Sequence, residues 1–310
     1  MKLKIIQNRK YNYLLSSAMV IAAIISLLIW GLKPSIDFTG GSLMEIKFNI
    51  ERPAIDQIQS GLSDLDLGEL RVQPAGDRNI ILRFKTVDEE THQKILSQLK
   101  SKFKDVKNDS APALTEERFE SIGPIIGKEL ARKAWIAIVL ASIAIILYIA
   151  FAFRKVSKPV ESWKYGVAAV IALVHDILIV VGLFAILGHF AGFEVDSLFI
   201  TALLTILGFS VHDTIVVFDR TRENLAKHYS ADFEAVVNDS INQTIARSIN
   251  TSLSTLLVLS ALYFLGGKSI ANFALALIVG ITVGTYSSIF VASPLVVTWH
   301  NLSKNFKNRK

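Results

Sequence analysis

Six long apolar segments constrain this chain more than any other feature of its sequence. Each approaches or exceeds the ~20 residues that a helix needs to cross ~30 Å of hydrocarbon. The segments lie near residues 14–32, 134–153, 166–188, 197–218, 244–265 and 270–297. Of the 310 residues, 51% are hydrophobic and 19% are charged, against about 25% charged in typical soluble domains. The sequence therefore predicts an α-helical membrane protein with six transmembrane helices.

These segments divide the chain into three parts. Residues 1–32 form an N-terminal segment and the first transmembrane helix, residues 33–123 form a separate domain, and residues 124–310 form a five-helix transmembrane domain with a C-terminal tail. The basic start MKLKIIQNRK is typical of a signal peptide, but the first apolar run is too long for one. The following IWGLKPS also lacks a small-x-small cleavage site. We therefore expect an uncleaved anchor.

Lysine and arginine residues predict the orientation of the spans. Four regions hold 15 of the 33 basic residues: the N-terminus, residues 154–164, the loop after 218 and the tail after 299. The two short loops on the opposite side, 189–196 and 266–269, hold only Lys268. Since short loops rich in Lys and Arg stay in the cytoplasm, both termini are predicted to be cytoplasmic and residues 33–133 to lie in the periplasm of a bacterium. The net charge of +6 reflects this bias, so no nucleic-acid partner is predicted.

The domain between the first two spans is predicted to follow the ferredoxin-like α+β plan, βαββαβ. The predicted elements are a strand at 42–49, a helix carrying Ile55, Ile58, Leu62 and Leu65, strands at 69–72 and 80–84 around a turn at 74–79, a helix carrying Ile95, Leu96, Leu99 and Phe103, and a strand at 115–122. No phosphate-binding loop or catalytic constellation occurs in this domain, so we expect it to act through contact. The chain has no cysteine, which excludes disulfides and thiol nucleophiles, and we expect no metal or cofactor.

Charged residues inside the spans are the main candidates for a functional site. Asp176 lies in the third span and Asp213 in the fourth, each in the phrase VHD, and Arg247 lies in the fifth. A charge in the bilayer centre costs roughly 2.5–3.5 kcal/mol even on lenient insertion scales, and such residues usually find a partner and mark an ion or proton path. At ~1.5 Å of rise per residue, Asp213 and Arg247 could share one layer of the membrane, with Asp176 nearer the outer side.

Five other polar residues of the spans have two interpretations each. His175 and His212 could relay protons or could make helix-packing hydrogen bonds. Asn250, Thr251 and Ser254 lie on one face of the fifth helix, where they could line a polar path or could pack and bond to their own helix backbone. The sequence leaves these alternatives open, so all five are candidate relay or packing residues.

Several phrases of the sequence occur together in a known family. They are IDFTGGS (36–42), SIGPIIGKEL (121–130), HD (175–176), GFSVHDTIVVFDRTREN (208–224) and SINQTIARSINTS (240–252). In this order, with six spans and one large domain after the first, they resemble the SecF family of bacterial preprotein translocase subunits, within the resistance–nodulation–division superfamily. The resemblance covers the whole chain, and the phrase at 208–224 is the most specific part of it.

The resemblance implies a multi-pass subunit of the bacterial inner (cytoplasmic) membrane, surrounded by membrane lipid. It implies SecD as a partner, with which the subunit uses the proton-motive force to help a preprotein pass through the SecYEG channel. Asp213 matches the family's proton-responsive carboxylate, Arg247 its basic partner in the next helix, and Asp176 a recurring acidic position. His212 departs from the family, which more often has Asn there, so the resemblance implies no proton-handling role for it.

Two other classes of protein also place charges in the membrane. A stand-alone proton-coupled transporter of the same superfamily would carry two internal repeats around its substrate site, and the sequence contains no second copy of a six-span unit. An intramembrane aspartyl protease has Gly before its Asp residues, whereas both Asp residues here follow His. We therefore expect a transport subunit without enzymatic activity, with the stand-alone transporter as the alternative.

The predicted orientation can be tested with a reporter enzyme that is active only in the periplasm. Fusions near Asp77 or Phe193 should be active, and fusions near Lys158 or Lys227 should be inactive, because basic loops stay in the cytoplasm. Activity in whole cells, normalised to the amount of fusion protein, is the measurement. An active fusion at Lys158 would contradict the orientation.

Overall fold

The computed structural model describes residues 3–49, 51–103, 114–152, 160–227 and 232–307. Residues 154–159 of the predicted inner loop (154–164) and the last three residues of the tail lie outside the described residues. The elements follow one another as α1 (Arg9–Trp30), α2 (Ile36–Thr39), β1 (Gly41–Phe48), α3 (Ile55–Gly61), β2 (Arg71–Ala75), β3 (Asn79–Phe84), α4 (Glu89–Lys102), β4 (Leu114–Ile122), α5 (Pro124–Ala152), α6 (Ser162–Ala191), α7 (Ser197–Lys227), α8 (Phe233–Leu265), α9 (Lys268–Ser287), a π-helical turn (Ser288–Ala292) and α10 (Ser293–Lys307).

The chain forms two compact units. The membrane unit comprises Met1–Lys33 and Trp135–Lys310, and the sheet domain comprises Pro34–Ala134. The sequence places the second boundary after residue 123, whereas the structure divides the two units inside α5, between Ala134 and Trp135. Since α5 begins at Pro124, a proline occupies the first position of the helix, where its missing N–H costs nothing.

Six helices of the described chain are long and apolar enough to cross a membrane, which confirms the predicted number. They are Arg9–Trp30, Pro124–Ile149, Trp163–Ala191, Ser197–Lys227, Phe233–Leu265 and Ile270–Lys304. α7 continues past residue 218 to Lys227, and α8 begins at Phe233 rather than at 244. The added turns at the end of α7 and the start of α8 are polar, and they contact each other. Asn224 Nδ2 of α7 donates to Ser240 Oγ of α8 over 2.9 Å.

The residues that precede α1 are held against α8. Asn238 Oδ1 accepts from the backbone N–H groups of Ile5 and Ile6 at 3.0 and 3.2 Å, and Asn242 Oδ1 accepts from the N–H of Leu3 at 2.8 Å. The side chains of Ile5 and Ile6 are buried in the hydrophobic core of the bundle. The N-terminal segment is therefore an integral part of the membrane unit.

α1 and α6 approach closely because Gly182 has no side chain. A Cβ atom there would lie 2.4 Å from the Cα and Cβ atoms of Ala23. The approach lets Ser26 Oγ donate to the Gly182 carbonyl over 2.9 Å. Since lipid supplies no hydrophobic driving force between helices, contacts of small residues and interhelical hydrogen bonds of this kind hold a membrane bundle together.

The sheet domain contains one four-stranded sheet in the order β2-β3-β1-β4. Every neighbouring pair of strands is antiparallel. The helices α3 and α4 pack on the sheet through Ile58, Ile95 and Leu99, which share a core with Met44 and Leu82. This is the ferredoxin-like arrangement, so the predicted fold of the domain is confirmed.

Two details of the sheet domain differ from the expectation. β2 runs from Arg71 to Ala75, so Pro74 lies in a strand and not in the turn. β2 is an edge strand of the sheet, where a proline is tolerated because one side of the strand has no ladder partner. Leu65 lies beyond α3, which ends at Gly61, but it packs against the same core, which explains its apparent helical spacing.

Two of the family phrases form one close packing contact in the sheet domain. Gly40 and Gly41 have positive φ angles of 75° and 121°, which glycine adopts readily. A Cβ atom at Gly40 would lie 2.7 Å from the Cα of Pro124, and one at Gly127 would lie 2.9 Å from the backbone nitrogen of Gly40. Glycine is therefore required both for backbone conformation and for the contact between IDFTGGS and SIGPIIGKEL.

The contact at Gly182 predicts a stability change. We expect Gly182→Ala to lower the free energy of unfolding by about 1–3 kcal/mol, the range of overpacking, even though alanine is the better helix former by up to about 1 kcal/mol. The measurement is denaturant unfolding of the purified chain in detergent. Gly208→Ala is the matched control, because nothing lies within 4 Å of the added atom. Equal losses in both variants would contradict the packing argument.

Candidate functional site

Asp176 is a fully buried carboxyl side chain of the membrane unit. It lies in α6 with a relative exposure of 0%. Its Oδ2 accepts hydrogen bonds from Ser210 Oγ of α7 at 2.6 Å and from Ser287 Oγ of α9 at 2.8 Å. Its Oδ1 lies 2.9 Å from Nδ1 of His175. The carboxyl group therefore joins three helices, and its partners in the described chain are hydroxyls and an imidazole rather than Lys or Arg.

Asp213 lies on α7 about one turn beyond Ser210, and its side chain is also buried. Its Oδ2 accepts from Thr285 Oγ1 of α9 at 3.1 Å. Thr285 Oγ1 in turn lies 2.5 Å from Ser252 Oγ of α8. Since Thr285 gives its only hydroxyl proton to the carboxylate, Ser252 must donate in the second bond. A polar chain thus runs from α8 through α9 to Asp213.

The helix α9 connects the two acids. Thr285 binds Asp213 and Ser287 binds Asp176, while Tyr286 between them lies beside His175 with ring centroids 6.4 Å apart. The π-helical turn Ser288–Ala292 follows directly, and such turns are frequent at functional sites. A change in hydrogen bonding at either acid therefore acts on the same segment of α9.

Glycine at position 284 allows α9 to reach Asp176. A Cβ atom there would lie 3.1 Å from the Cβ of Ser210 and 3.6 Å from Asp176 Oδ2. One turn earlier, a Cβ atom at Gly280 would lie 2.2 Å from the side chain of Ile206. Both glycines thus hold α9 close to α7, which is the geometry that the hydroxyl bonds to the acids need.

Arg247 and His212 are placed differently from the acids. Both side chains lie on the exposed side of their helices. In the part of the chain that the structure describes, Arg247 has no hydrogen bond or ion pair, so Asp213 and Arg247 are not joined within this chain. A charge on the outer surface of a membrane bundle is costly without a partner. The exposed position of Arg247 therefore indicates that another group contacts its side chain in the membrane.

The other polar residues of α8 lie on the same exposed side. Asn250, Thr251 and Ser254 are exposed, and Ser254 Oγ donates to the Thr251 carbonyl at 2.8 Å. Ser254 therefore bonds to the backbone of its own helix, which is one of the two interpretations that the sequence leaves open for this residue. Together with Arg247, these three residues form the α8 polar face. His175, in contrast, is buried beside Asp176.

Three residues that hold the acids are missed by sequence reasoning: Ser252, Thr285 and Ser287. Ser252 lies on the opposite side of α8 from the α8 polar face, and the sequence singles out its exposed neighbours instead. The polar run TYSS (285–288) within the sixth apolar segment is the signal that could identify the other two. Because Ser and Thr in membrane helices often bond to their own backbone, the run alone does not assign them to the acids.

The six-helix bundle with two enclosed carboxyl groups, and with an α+β domain after the first helix, defines a multi-pass membrane protein. Two family models match the chain. The model described as "Protein export membrane protein SecD/SecF, C-terminal" matches residues 100–302, and the "SecD/SecF GG Motif" matches residues 25–49. The chain belongs to the SecD/SecF family of protein export membrane proteins.

Individual relatives place the chain with the SecF subunits of this family. It is 46% identical over 310 residues to protein translocase subunit SecF of Thermobaculum terrenum, covering 96% of this chain and 94% of that protein. It is 42% identical over 301 residues to the SecF subunit of Anaerolinea thermophila, with the same coverage. Since these relatives are named as translocase subunits, the chain is a transport component and not an enzyme.

A solved structure has the same fold. The crystal structure of SecDF, a translocon-associated membrane protein from Thermus thermophilus, matches with a TM-score of 0.81 at 34% identity. The match covers 97% of this chain but 39% of the SecDF chain. The chain thus spans well under half of the length of that protein.

The hydrogen bond from Thr285 to Asp213 predicts a stability change. Thr285→Val keeps the shape of the side chain but removes the donor, and a hydrogen bond to a charged group contributes roughly 1.5–3 kcal/mol. We expect a loss of this size in the free energy of unfolding in detergent. Thr282→Val on the same helix is the control, because Thr282 is exposed and donates to its own backbone at Ile278. Equal stability of the two variants would show that the bond to Asp213 contributes nothing.

Proposed function

We propose that this chain works with SecD, as a SecF subunit, to use the proton-motive force to promote protein translocation. The observation that carries the proposal is the pair of buried acids, Asp176 and Asp213, each held by hydroxyl donors of neighbouring helices. An ionised carboxylate only accepts hydrogen bonds, whereas a protonated carboxyl group also donates one. Proton binding at either acid therefore removes its charge, weakens the bonds that it accepts from hydroxyls of neighbouring helices, and adds a donor at the carboxyl group.

Arg247 supports the existence of a partner in the membrane. It lies on the exposed α8 polar face, and an arginine facing lipid at the bilayer centre costs roughly 2.5–3.5 kcal/mol. Helices of a second protein that cover the α8 polar face remove this cost. SecD is the partner that the family resemblance implies, and the solved SecDF chain extends well beyond the part that this chain matches.

Asp213 and Arg247 are the proposed coupling pair. Once a partner encloses the α8 polar face, Arg247 stabilises the charge on Asp213, while desolvation opposes it. A carboxyl group balanced between these effects changes protonation when water reaches it from one side of the membrane. Loss of its charge releases Arg247 and weakens the bond from Thr285, which gives the two-state element that a proton-driven movement requires.

The same proposal assigns a location to each part of the chain. Both termini lie in the cytoplasm and the sheet domain lies in the periplasm, because the basic residues are concentrated in the predicted inner regions. In this arrangement the sheet domain contacts the preprotein that leaves the SecYEG channel, and acts by position rather than by chemistry. Movement of the membrane unit between two states then changes the position of the sheet domain.

Export by vesicles that contain the reconstituted complex tests the coupling pair. Asp213→Asn keeps the size of the side chain but cannot ionise, so we expect it to abolish the stimulation of export by a proton gradient while insertion and partner binding persist. Arg247→Met should have the same effect, and Asp176→Asn a smaller one. Export with and without the gradient is the measurement.

Asp219→Asn is the matched control for this experiment. Asp219 lies on the same helix, is exposed, and forms an (i, i+3) ion pair with Arg222 at 2.5 Å, so its loss should leave gradient stimulation intact. A full response of the Asp213→Asn vesicles would reduce Asp213 to a packing residue and would falsify the mechanism. Gradient-driven transport by the purified chain without SecD would favour the stand-alone transporter instead.

A further inference from the structure

In the described part of the chain, the imidazole of His175 has one ring nitrogen that is hydrogen-bonded and one that has no partner. Nδ1 lies 2.9 Å from Asp176 Oδ1. Nε2 is buried and has no hydrogen-bond partner in the described part of the chain, and the residue as a whole is 6% exposed. Buried polar atoms are nearly always hydrogen-bonded, so a buried atom without a partner indicates a water molecule or a function.

Polar groups continue beyond this ring toward α1. The Tyr286 ring lies nearly parallel to the imidazole, at an interplanar angle of 23°. Its hydroxyl is 3.0 Å from Ser16 Oγ and 3.4 Å from the Asn12 carbonyl oxygen. Asn12 Nδ2 is a second buried atom without a partner in the described chain. Tyr286 thus contacts both residues that carry an unpartnered atom, Asn12 through its carbonyl oxygen and His175 through its ring.

The register of α1 against α6 shows that the polar residues around Tyr286 extend from His175 toward the start of α1. Ser26 bonds to Gly182 and Trp30 stacks on His189, so the two helices run parallel and His175 lies level with the turn that begins at Ser16. Asn12 is four residues, or ~6 Å, nearer the start of α1. That helix begins at Arg9, whose ion pair with Glu234 at 3.1 Å is expected at the membrane surface rather than in hydrocarbon.

We propose that a hydrated path connects Asp176 to the membrane surface at the start of α1, and that His175 passes protons along it. Water between Asn12, Tyr286 and His175 satisfies the two unpartnered atoms, since a buried water typically makes about three hydrogen bonds. A proton from this water binds Nε2 of His175. The ring then releases its Nδ1 proton to Asp176 Oδ1 and remains neutral, as the other tautomer. Deprotonation of the acid follows the same steps in reverse.

The elements around Asp176 offer few other titratable groups. α6 contributes His175, α9 contributes Tyr286, and the residues that α7 and α1 contribute to this group, Ser210 and Ser16, do not titrate near neutral pH. Asp213 lies one turn along α7 and faces Thr285. His175 is therefore the group of this described cluster that has one ring nitrogen on the acid and the other left for a water molecule.

Infrared spectroscopy of the complex in D2O tests the path. The carboxyl band that disappears in Asp176→Asn is assigned to Asp176, and the rate of its deuterium shift is measured. His175→Asn can still donate to Asp176 but cannot pass a proton, and we expect exchange to slow by about 100-fold or more, the scale of a lost acid–base step. Tyr286→Phe keeps the ring and removes only the hydroxyl, and should slow exchange as well.

Controls separate the path from packing and from the proposed function. His189→Asn on the same helix and Tyr263→Phe on α8 should leave exchange unchanged. Unaltered exchange in both His175→Asn and Tyr286→Phe would overturn the proposal, as would the lack of any Asp176-dependent carboxyl band at every pH from neutral down to about 4, the ordinary pKa of an aspartic acid. The proposal rests on the proposed function only for the use of the proton, because the exchange rate does not depend on export. Asp213→Asn should therefore stop gradient stimulation and leave exchange at Asp176 intact.

Discussion

The cost of enclosing a carboxyl group in a membrane bundle is the constraint on which the rest of this structure depends. Asp176 has no exposed surface, and its two serine donors come from α7 and α9. A buried polar group of this kind is tolerated only if its hydrogen bonds are made. The bundle must therefore hold three helices in one arrangement around the acid, and the ionised carboxylate accepts stronger bonds from the serines than the neutral acid does.

Close helix packing makes these bonds reachable. Glycine at 284 brings the backbone of α9 to within hydroxyl reach of Asp176, and glycine at 182 does the same for α1 and α6. A serine hydroxyl extends only a short distance from its helix, so a larger residue at either glycine would separate the donors from their acceptors. The small residues thus belong to the chemistry of the site as well as to its packing, and Thr285 and Ser287 join both acids to a single helix.

The polar groups of the bundle fall into two sets: those that have hydrogen-bond partners within the described chain, and those that are exposed and need a partner protein. Asp176 and His175 find their partners inside the chain. Arg247, on the α8 polar face, finds none among the described residues, and the desolvation cost of an arginine is not met by lipid. This asymmetry is the physical basis for expecting a second set of helices against α8, and it separates the proposed coupling pair from the proposed path through His175.

The sequence by itself determined the six spans, the ferredoxin-like domain and the identity of the costly residues, because length, periodicity and charge are local properties. It did not determine which face of a helix each polar residue occupies. Ser252 and Ser254 are two positions apart on α8, yet only Ser252 reaches a partner helix, at Thr285. Only the tertiary structure decided which face each polar residue occupies. The neighbours of a membrane helix depend on packing and on hydrogen bonds between distant segments. The periodicity of an almost uniformly apolar helix does not encode these neighbours.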